Sequence, residues 1–172
     1  ALEVLLQLQE MEGSIVLSWP KGKKIKLSSE ISKDQFQMRL GKKRDWFELS
    51  GELALNDDEV ISMAKLMALL EQSPSRFLRL DNGEILALTQ DLKKRLDGIR
   101  RFSDDGALHP LASHAIDELT EGMEVKKNAL WKEQLERIDQ AQSLQPEIPS
   151  TLQAELRDYQ IDGFNWLARL SH

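Results

Sequence analysis

In the first half of the chain, apolar and polar positions alternate with a period of about two, which is typical of β-strands. Turn-forming stretches separate four such segments: Ser14–Trp19, Ile25–Leu27, Gln35–Leu40 and Trp46–Leu49. A further hairpin is predicted where Phe77–Leu80 and Ile85–Leu88 flank Asp81-Asn82-Gly83, because Asn-Gly tolerates the positive φ angles of a tight turn. The pattern therefore predicts N-terminal β-hairpins and a short sheet.

Apolar positions spaced by three and four residues predict the helices. One helix is expected from Asn56, which can cap free amides while Glu59 completes a capping box. Another begins at about Thr89, and from Leu108 the pattern is helical throughout, with Gly122 as a terminator between two apolar stripes. The predicted fold class is α+β, in which sheet and hairpins with helices are followed by a helical segment.

The periodicity fails over Gln142–Ser150, where two prolines and no consistent spacing indicate a linker. We therefore predict an accessory domain over residues 1–142, a linker over residues 143–150 and a separate unit over residues 151–172. The last unit contains an amphipathic helix whose apolar face requires a partner. Its apolar positions recur at intervals of three and four: Leu152, Leu156, Tyr159, Gly163, Trp166, Leu167 and Leu170.

Composition excludes several classes of protein. The 172 residues include no cysteine, so a disulfide scaffold and a thiolate metal site are excluded and a reducing compartment is favoured. The three histidines have no metal-ligand spacing, so no metal site is predicted. The N-terminal stretch carries an acidic residue where a secretory signal carries basic ones, and no apolar run is long enough to span a bilayer. We expect a cytoplasmic protein with no membrane partner.

The net charge of -6 hides an uneven distribution. Residues 21–44 contain nine Lys or Arg against Glu30 and Asp34, a local charge of +7, and the remainder of the chain is -13. Basic turns often form a solvated face that protects edge strands from pairing. Alternatively, they contact DNA phosphates, which would make binding steeply salt-dependent. The candidate nucleic-acid-binding residues are Lys21, Lys23, Lys24, Lys42, Lys43 and Arg44.

The stretch LRDYQIDGFNWLARL, Leu156–Leu170, resembles the opening motif of the Swi/Snf-type ATPases of helicase superfamily two. In that family a pattern close to Leu-Arg-x-Tyr-Gln-x-x-Gly-x-x-Trp-Leu begins the first RecA-like lobe of the motor. From Asp45 onward, a softer resemblance is to the accessory region that precedes the motor in bacterial members. Seven motif positions match in register: Leu156, Arg157, Tyr159, Gln160, Gly163, Trp166 and Leu167.

The resemblance implies roles for individual residues. Gln160 would recognise the base of ATP, since a side-chain amide offers a donor and an acceptor that match the adenine N6 amine and N7. Arg157 and Tyr159 would lie beside the nucleotide pocket. Trp166 and Leu167 would fill core, and Gly163 would permit close helix packing. ATP and magnesium are thus the implied cofactors of the full-length protein.

The phosphate loop and the acidic magnesium motif of such a motor do not occur in these 172 residues. The resemblance therefore implies the N-terminal, non-catalytic part of an ATP-dependent double-stranded DNA translocase, with no catalytic residues of its own. Its implied partners are double-stranded DNA and the downstream ATPase lobe. We expect the apolar face of Leu156–Leu170 to fold back on the accessory domain or to pair with a second copy. The alternative function is a free-standing, non-enzymatic module that binds a protein or a nucleic acid, in which this helix only packs.

Overall fold

A computed structural model describes residues 1–11, 16, 18–22, 24–55, 59–104 and 106–171. These residues form an α+β fold with two mixed sheets and six α-helices, which confirms the predicted class. In chain order the elements are α1 (Leu2–Glu10), β1 (Leu27–Ile31), β2 (Phe36–Lys43), β3 (Trp46–Ala54), β4 (Val60–Ser62), α2 (Met63–Gln72), β5 (Phe77–Arg79), β6 (Ile85–Leu88), α3 (Gln90–Phe102), β7 (Ser103–Asp104), β8 (Ala107–Leu108), α4 (Ser113–Leu119), β9 (Glu124–Lys127), α5 (Ala129–Ser143) and α6 (Asp158–Ser171).

The larger sheet has the strand order β7-β8-β3-β2-β9, and β4 also pairs with β3. β2 and β3 form an antiparallel hairpin, whereas β9 joins β2 in parallel. Side chains of β2 alternate strictly, so that Phe36, Met38 and Leu40 are buried while Gln37 and Arg39 are exposed. One face of this sheet therefore covers the core, and the other face meets solvent.

The smaller sheet has the order β1-β6-β5, with β1 parallel and β5 antiparallel to β6. The hairpin predicted around Asn-Gly is confirmed. Gly83 has a φ of 84°, and Asn82 Oδ1 accepts a hydrogen bond of 2.9 Å from the Glu84 amide. This sheet shares a single hydrophobic core with the larger one, since Leu78 and Leu86 pack in the same cluster as the buried side of β2.

The helix α5 is fixed to this core by one aromatic side chain. Trp131 is fully buried, and its ring meets the Phe47 ring edge-on at a centroid distance of 4.9 Å. Its indole Nε1 donates to Asp117 Oδ1 at 3.2 Å, and Lys127 Nζ donates to the same oxygen at 2.5 Å. The only buried indole N–H of this helix is thus satisfied, as a buried polar group requires.

The helix α1, which the sequence did not predict, is held by the guanidinium of Arg76. That group donates to the carboxylates of Glu3 and Glu30 and to the Leu88 carbonyl at 2.7 Å, and its side chain is only 10% exposed. The hydrogen bond from Arg76 lowers the pKa of Glu3. Leu6 packs inward from the same helix. One largely buried cation therefore joins α1 to the outer strand β1 and to the central strand β6 of the smaller sheet.

Two predicted helical regions contain strands instead. The helix expected from Asn56 begins only at Met63, where the Ser62 hydroxyl accepts from the Lys65 amide, and Val60–Ser62 is a strand; Asn56 itself lies outside the described residues. Residues 124–127, expected in the continuous helical region, form β9. In both cases pairing with an existing strand outweighs local helical spacing.

Three further predictions concern an N-terminal strand, the start of α3 and the segment after α5. Half of the strand predicted over Ser14–Trp19 lies outside the described residues, and Val16, Ser18 and Trp19 belong to no strand. The helix predicted to begin at Thr89 is confirmed, with the Thr89 hydroxyl accepting from the Leu92 amide at 3.2 Å. After α5, residues 144–157 form neither helix nor strand, and the division into a linker and a separate unit stays a prediction. No helix in the described part of the chain is both long and apolar enough to cross a membrane.

Candidate functional site

The first candidate site is the start of α6, where the residues implied in nucleotide recognition lie. Gln160 Oε1 accepts a hydrogen bond of 3.0 Å from the Arg157 amide, and the Gln160 amide donates to the Arg157 carbonyl at 2.8 Å. Both side chains and that of Tyr159 are exposed. Gln160 therefore caps its own helix, as a glutamine three residues past the cap position commonly does. Its Nε2 group makes no hydrogen bond with the described residues.

The two sides of α6 have different environments. One side is half-buried and faces α5, and Arg169 Nε donates to the Leu144 carbonyl at 3.4 Å beside it. The half-buried residues on this side are Ile161, Phe164, Asn165 and Ala168, and Gly163 is half-buried on the other side. At 100° per residue, the remaining apolar positions fall on the opposite side. Those positions are Tyr159, Gly163, Trp166, Leu167 and Leu170, which we call the motif face.

The motif face is not covered by the rest of the described chain. Tyr159 is 66% exposed and Trp166 is 61% exposed, and no residue of α6 is buried. Of the two covers expected for this face, the accessory domain does not supply one, and pairing with a second copy stays a prediction. The α5 helix supplies only a narrow contact, and it takes the less apolar side of α6. In this chain Trp166 and Leu167 do not fill a core.

Gly163 lies on the motif face with open space around it. A Cβ atom built there has no neighbour within 4 Å outside the helix. At Gly98 of α3, by contrast, a Cβ would lie 2.7 Å from Leu119 Cδ2, so a larger residue there would force the Leu119 side chain of α4 to shift. Packing within the described residues thus gives no reason for the glycine at position 163.

The second candidate site is the basic hairpin, residues 42–44 at the junction of β2 and β3. Lys42 and Lys43 end β2 and Arg44 begins the turn, so the structure brings these three cations together. Lys43 Nζ lies 3.2 Å from Glu48 Oε1 in an exposed ion pair. Lys21 and Lys24 are also exposed but have no hydrogen bond or ion pair to the hairpin, and Lys23 lies outside the described residues.

Arg44 has an unusual backbone conformation for its residue type. Its φ is 58°, and it is the single non-glycine residue in the described part of the chain with a positive φ. Glycine and asparagine are the residues preferred in such two-residue hairpin turns, and a longer L side chain costs about 1 kcal/mol there. The turn therefore carries an exposed cation at a position where local conformation favours a smaller residue.

Sequence reasoning missed two cations on the exposed face of the larger sheet. Arg39 of β2 lies directly opposite Lys126 of β9, and both side chains are exposed. Lys126 was assigned to a helical region, so its position beside Arg39 could not be predicted. The acidic and imidazole side chains of the described residues form no group of three or more suited to a metal ion.

Comparison with known proteins adds no relative. No protein-family model, no curated protein and no solved structure matches the chain. The resemblance over Leu156–Leu170 therefore rests on the motif residues alone.

Proposed function

We propose that this chain is the non-catalytic N-terminal accessory region of an ATP-dependent double-stranded DNA translocase of the Swi/Snf type. In this proposal α6 is the first helix of the motor, and the downstream ATPase lobe is its partner. The observation that carries the proposal is the exposed motif face. Four motif residues lie on the side of α6 that the accessory domain leaves uncovered: Tyr159, Gly163, Trp166 and Leu167.

The exposure of this face argues against the alternative in which α6 is only a packing helix. A helix that closes its own domain buries its apolar stripe, because that burial is the main source of its stability. Here α6 contacts α5 through its other side, while a contiguous apolar surface around Trp166 stays in solvent. Exposed apolar patches of this kind mark surfaces that meet another protein surface.

Gly163 supports the same conclusion by a different route. Glycine in a helix interior costs about 1 kcal/mol relative to alanine. Nothing among the described residues approaches position 163 closely enough to require it. A neighbouring element of the motor lobe that packs closely against the motif face would leave no room for a side chain at this position. The glycine is then explained by a surface that α6 meets in the full-length protein.

In this proposal Gln160 serves base recognition rather than phosphate binding. Its capping bond fixes the side chain at the exposed start of α6 and leaves Nε2 free to donate, with Arg157 and Tyr159 on either side. The sequence contains no phosphate loop, whose amides and lysine supply the dominant contacts to ATP. In this proposal the chain alone binds nucleotide negligibly and has no ATPase activity. ATP and magnesium bind only when the motor lobe completes the site.

The test uses the protein extended by the polypeptide that its gene encodes after residue 172. We expect ATP hydrolysis that duplex DNA stimulates, and we expect Gln160→Glu to raise the KM for ATP about tenfold. Glutamate keeps the oxygen that caps Arg157 and removes the amide donor, so this variant separates base recognition from helix capping. Steady-state kinetics with ATP and GTP measure both effects.

The matched control is Gln145→Glu, in the segment before α6, where no base contact is proposed. It should leave the KM for ATP unchanged. The proposal is wrong if no phosphate loop follows in the gene, or if Gln160→Glu leaves both the KM and the preference for ATP over GTP unaltered. In the first case a free-standing interaction module becomes the better description.

A further inference from the structure

The exposed face of the larger sheet carries two like charges directly opposite each other. Arg39 on β2 and Lys126 on β9 are register partners on strands that lie about 4.8 Å apart. Neither side chain makes a hydrogen bond or an ion pair with the described residues. Like charges in such positions destabilise a sheet unless a counter-charge lies between them. No carboxylate of the described residues forms an ion pair with either cation, although Glu48, Glu52 and Glu124 lie on the same face in positions diagonal to Arg39.

Protection of an edge strand does not explain both residues. β9 is the outer strand, and a lysine there discourages pairing with another chain. β2, however, lies between β3 and β9, so both of its edges are already paired. Arg39 therefore has no edge to protect. We therefore explain its charge by contact with a molecule outside the fold.

The pair borders a shallow depression of about 410 Å³ on the sheet surface. Gly41 lies at its floor, where a Cβ would meet nothing within 4 Å, and the exposed Ser50 offers a hydroxyl beside Arg39. Two other charged side chains line the depression, and both already have partners. The Glu48 carboxylate is paired with Lys43, and the Lys127 ammonium is held by Asp117.

The charge of this face is polarised along the strands. From Arg39 toward the turn, this face continues to Lys43 at the end of β2 and to Arg44 in the turn, so that cations extend over roughly 17 Å from residue 39 to residue 44. At the other end of the sheet, Glu52 and Glu124 face solvent on either side of Gln37. A polyanion is therefore attracted to the basic end of this face and repelled from its acidic end.

We propose that this basic sheet face, formed by Arg39, Lys126 and Lys43 together with Arg44 of the turn, binds the phosphate backbone of duplex DNA. The choice of DNA rests on the proposed function, and the site itself rests on the charges and register described above. Arg39 and Lys126 contact the same phosphate or adjacent phosphates at the depression. The hairpin extends the contact along the strand, and the acidic end turns the duplex away from β4. Binding is independent of base sequence, because no group reaches into a groove.

The test measures binding of this chain to a fluorescent 20-bp duplex by anisotropy at about 50, 100 and 200 mM salt. We expect Arg39→Gln with Lys126→Gln to weaken binding about tenfold at the lowest salt and to lower the slope of log K against log salt by about 2. The matched control removes one lysine and one arginine from the exposed side of α3, Lys94→Gln with Arg101→Gln. This control should leave the slope unchanged.

Thermal unfolding without DNA checks that the double variant still folds. Because the substitutions relieve a like-charge contact, its Tm should equal or exceed that of the parent chain. A lower Tm would mean that the pair stabilises the fold, which contradicts the inference.

The remaining outcomes separate this inference from the proposed function. Duplex binding that survives in Arg39→Gln with Lys126→Gln but fails in Lys42→Gln with Lys43→Gln assigns DNA to the hairpin alone and overturns the inference. Binding to poly-glutamate with no binding to duplex assigns the face to an acidic protein and also overturns it. DNA-stimulated ATP hydrolysis in the extended protein tests the proposed function by itself. If that stimulation is absent, the proposed function is wrong, but an Arg39-dependent affinity for duplex DNA would still support this inference.

Discussion

Two consecutive helices of this protein, α5 and α6, have similar lengths and each carries one tryptophan within an apolar stripe, yet their environments are opposite. Trp131 of α5 is fully buried against Phe47, and its N–H is satisfied by Asp117. Trp166 of α6 is 61% exposed and touches no such partner. Helical spacing alone does not distinguish the two helices.

The difference teaches what an apolar stripe establishes. It shows that a helix has a side that favours burial, but it does not show which other segment covers that side. For α5 the cover is the large sheet, reached because β9 leads the chain back beside β2. For α6 the available neighbour is α5 itself, which accepts the half-buried side around Phe164. The motif face is then left without a cover among the described residues.

The largest expected effect comes from removing each tryptophan in turn. Trp131→Ala should lower the free energy of unfolding by about 3–5 kcal/mol, since it leaves a cavity in the core and strips a donor from Asp117. Trp166→Ala should change it by less than about 0.5 kcal/mol, because the side chain is mostly in solvent. Urea unfolding followed by circular dichroism measures both. Equal losses for the two variants would mean that α6 is packed as tightly as α5.

Two glycine-to-alanine substitutions, one in the core and one in α6, should change the free energy of unfolding in opposite directions. Gly51→Ala in β3 places a Cβ 2.6 Å from the Gln37 carbonyl oxygen and should destabilise the fold by about 1–3 kcal/mol. Gly163→Ala in α6 meets open space and should stabilise the helix by about 1 kcal/mol. Amide hydrogen exchange resolves the local effect in α6. In the extended protein, Gly163→Ala should instead impair activity, and a neutral result there would argue against packing of the motif face on the motor.

The smallest effect concerns pH. Burial alone would raise the pKa of Asp117, but hydrogen bonds from Lys127 and Trp131, with the charges of Lys127 and His114, outweigh it and hold that pKa below its ordinary value. Because the pKa is lowered on folding, this stabilisation is complete above about pH 5 and is lost as the pH falls below about 4.

Comparison of Asp117→Asn with the parent chain isolates this contribution to the docking of α5. The parent should have the higher urea midpoint at pH 7. The gap should narrow at pH 3, which is below the ordinary pKa of an aspartate, because the unfolded parent chain then gains a proton at Asp117. The exposure of α6 should be the same in both chains, as Trp166 fluorescence can report in a Trp131→Phe background. A gap that does not change with pH would show that the carboxylate charge is not what holds α5.

The sequence predicts some elements of this fold well and others poorly, for identifiable reasons. The β5–β6 hairpin and the start of α3 depend on local chemistry, a glycine with positive φ and a threonine cap, so they are readable from a few residues. β4 and β9 contain three and four residues, and each exists because β3 or β2 offers a free edge. Short strands of this kind are set by non-local pairing, which local periodicity does not report.

In the candidate sites, too, features set by local residues could be predicted and features set by long-range contacts could not. The motif over Leu156–Leu170 predicts a helix with an apolar side, and α6 is such a helix. Of the two covers expected for that side, the accessory domain was wrong and a second copy stays a prediction, because contacts between surfaces distant in sequence are not visible in a local motif. Arg39 was visible within a basic window, but its juxtaposition with Lys126 depends on the parallel register of β2 and β9. Neither the exposure of Trp166 nor the position of Lys126 beside Arg39 could be inferred from neighbouring residues in the chain.

The stretch between α5 and α6 limits how far apart the two helices can lie. Residues 144–157 form no helix or strand, and fourteen residues span at most about 45–50 Å when fully extended. In a translocase whose first motor helix leaves α5, the body with its β2–β9 cations could stay on one stretch of duplex while the motor advances by a little over one helical turn of DNA. The tether length would then limit how far the motor moves before the accessory domain must let go.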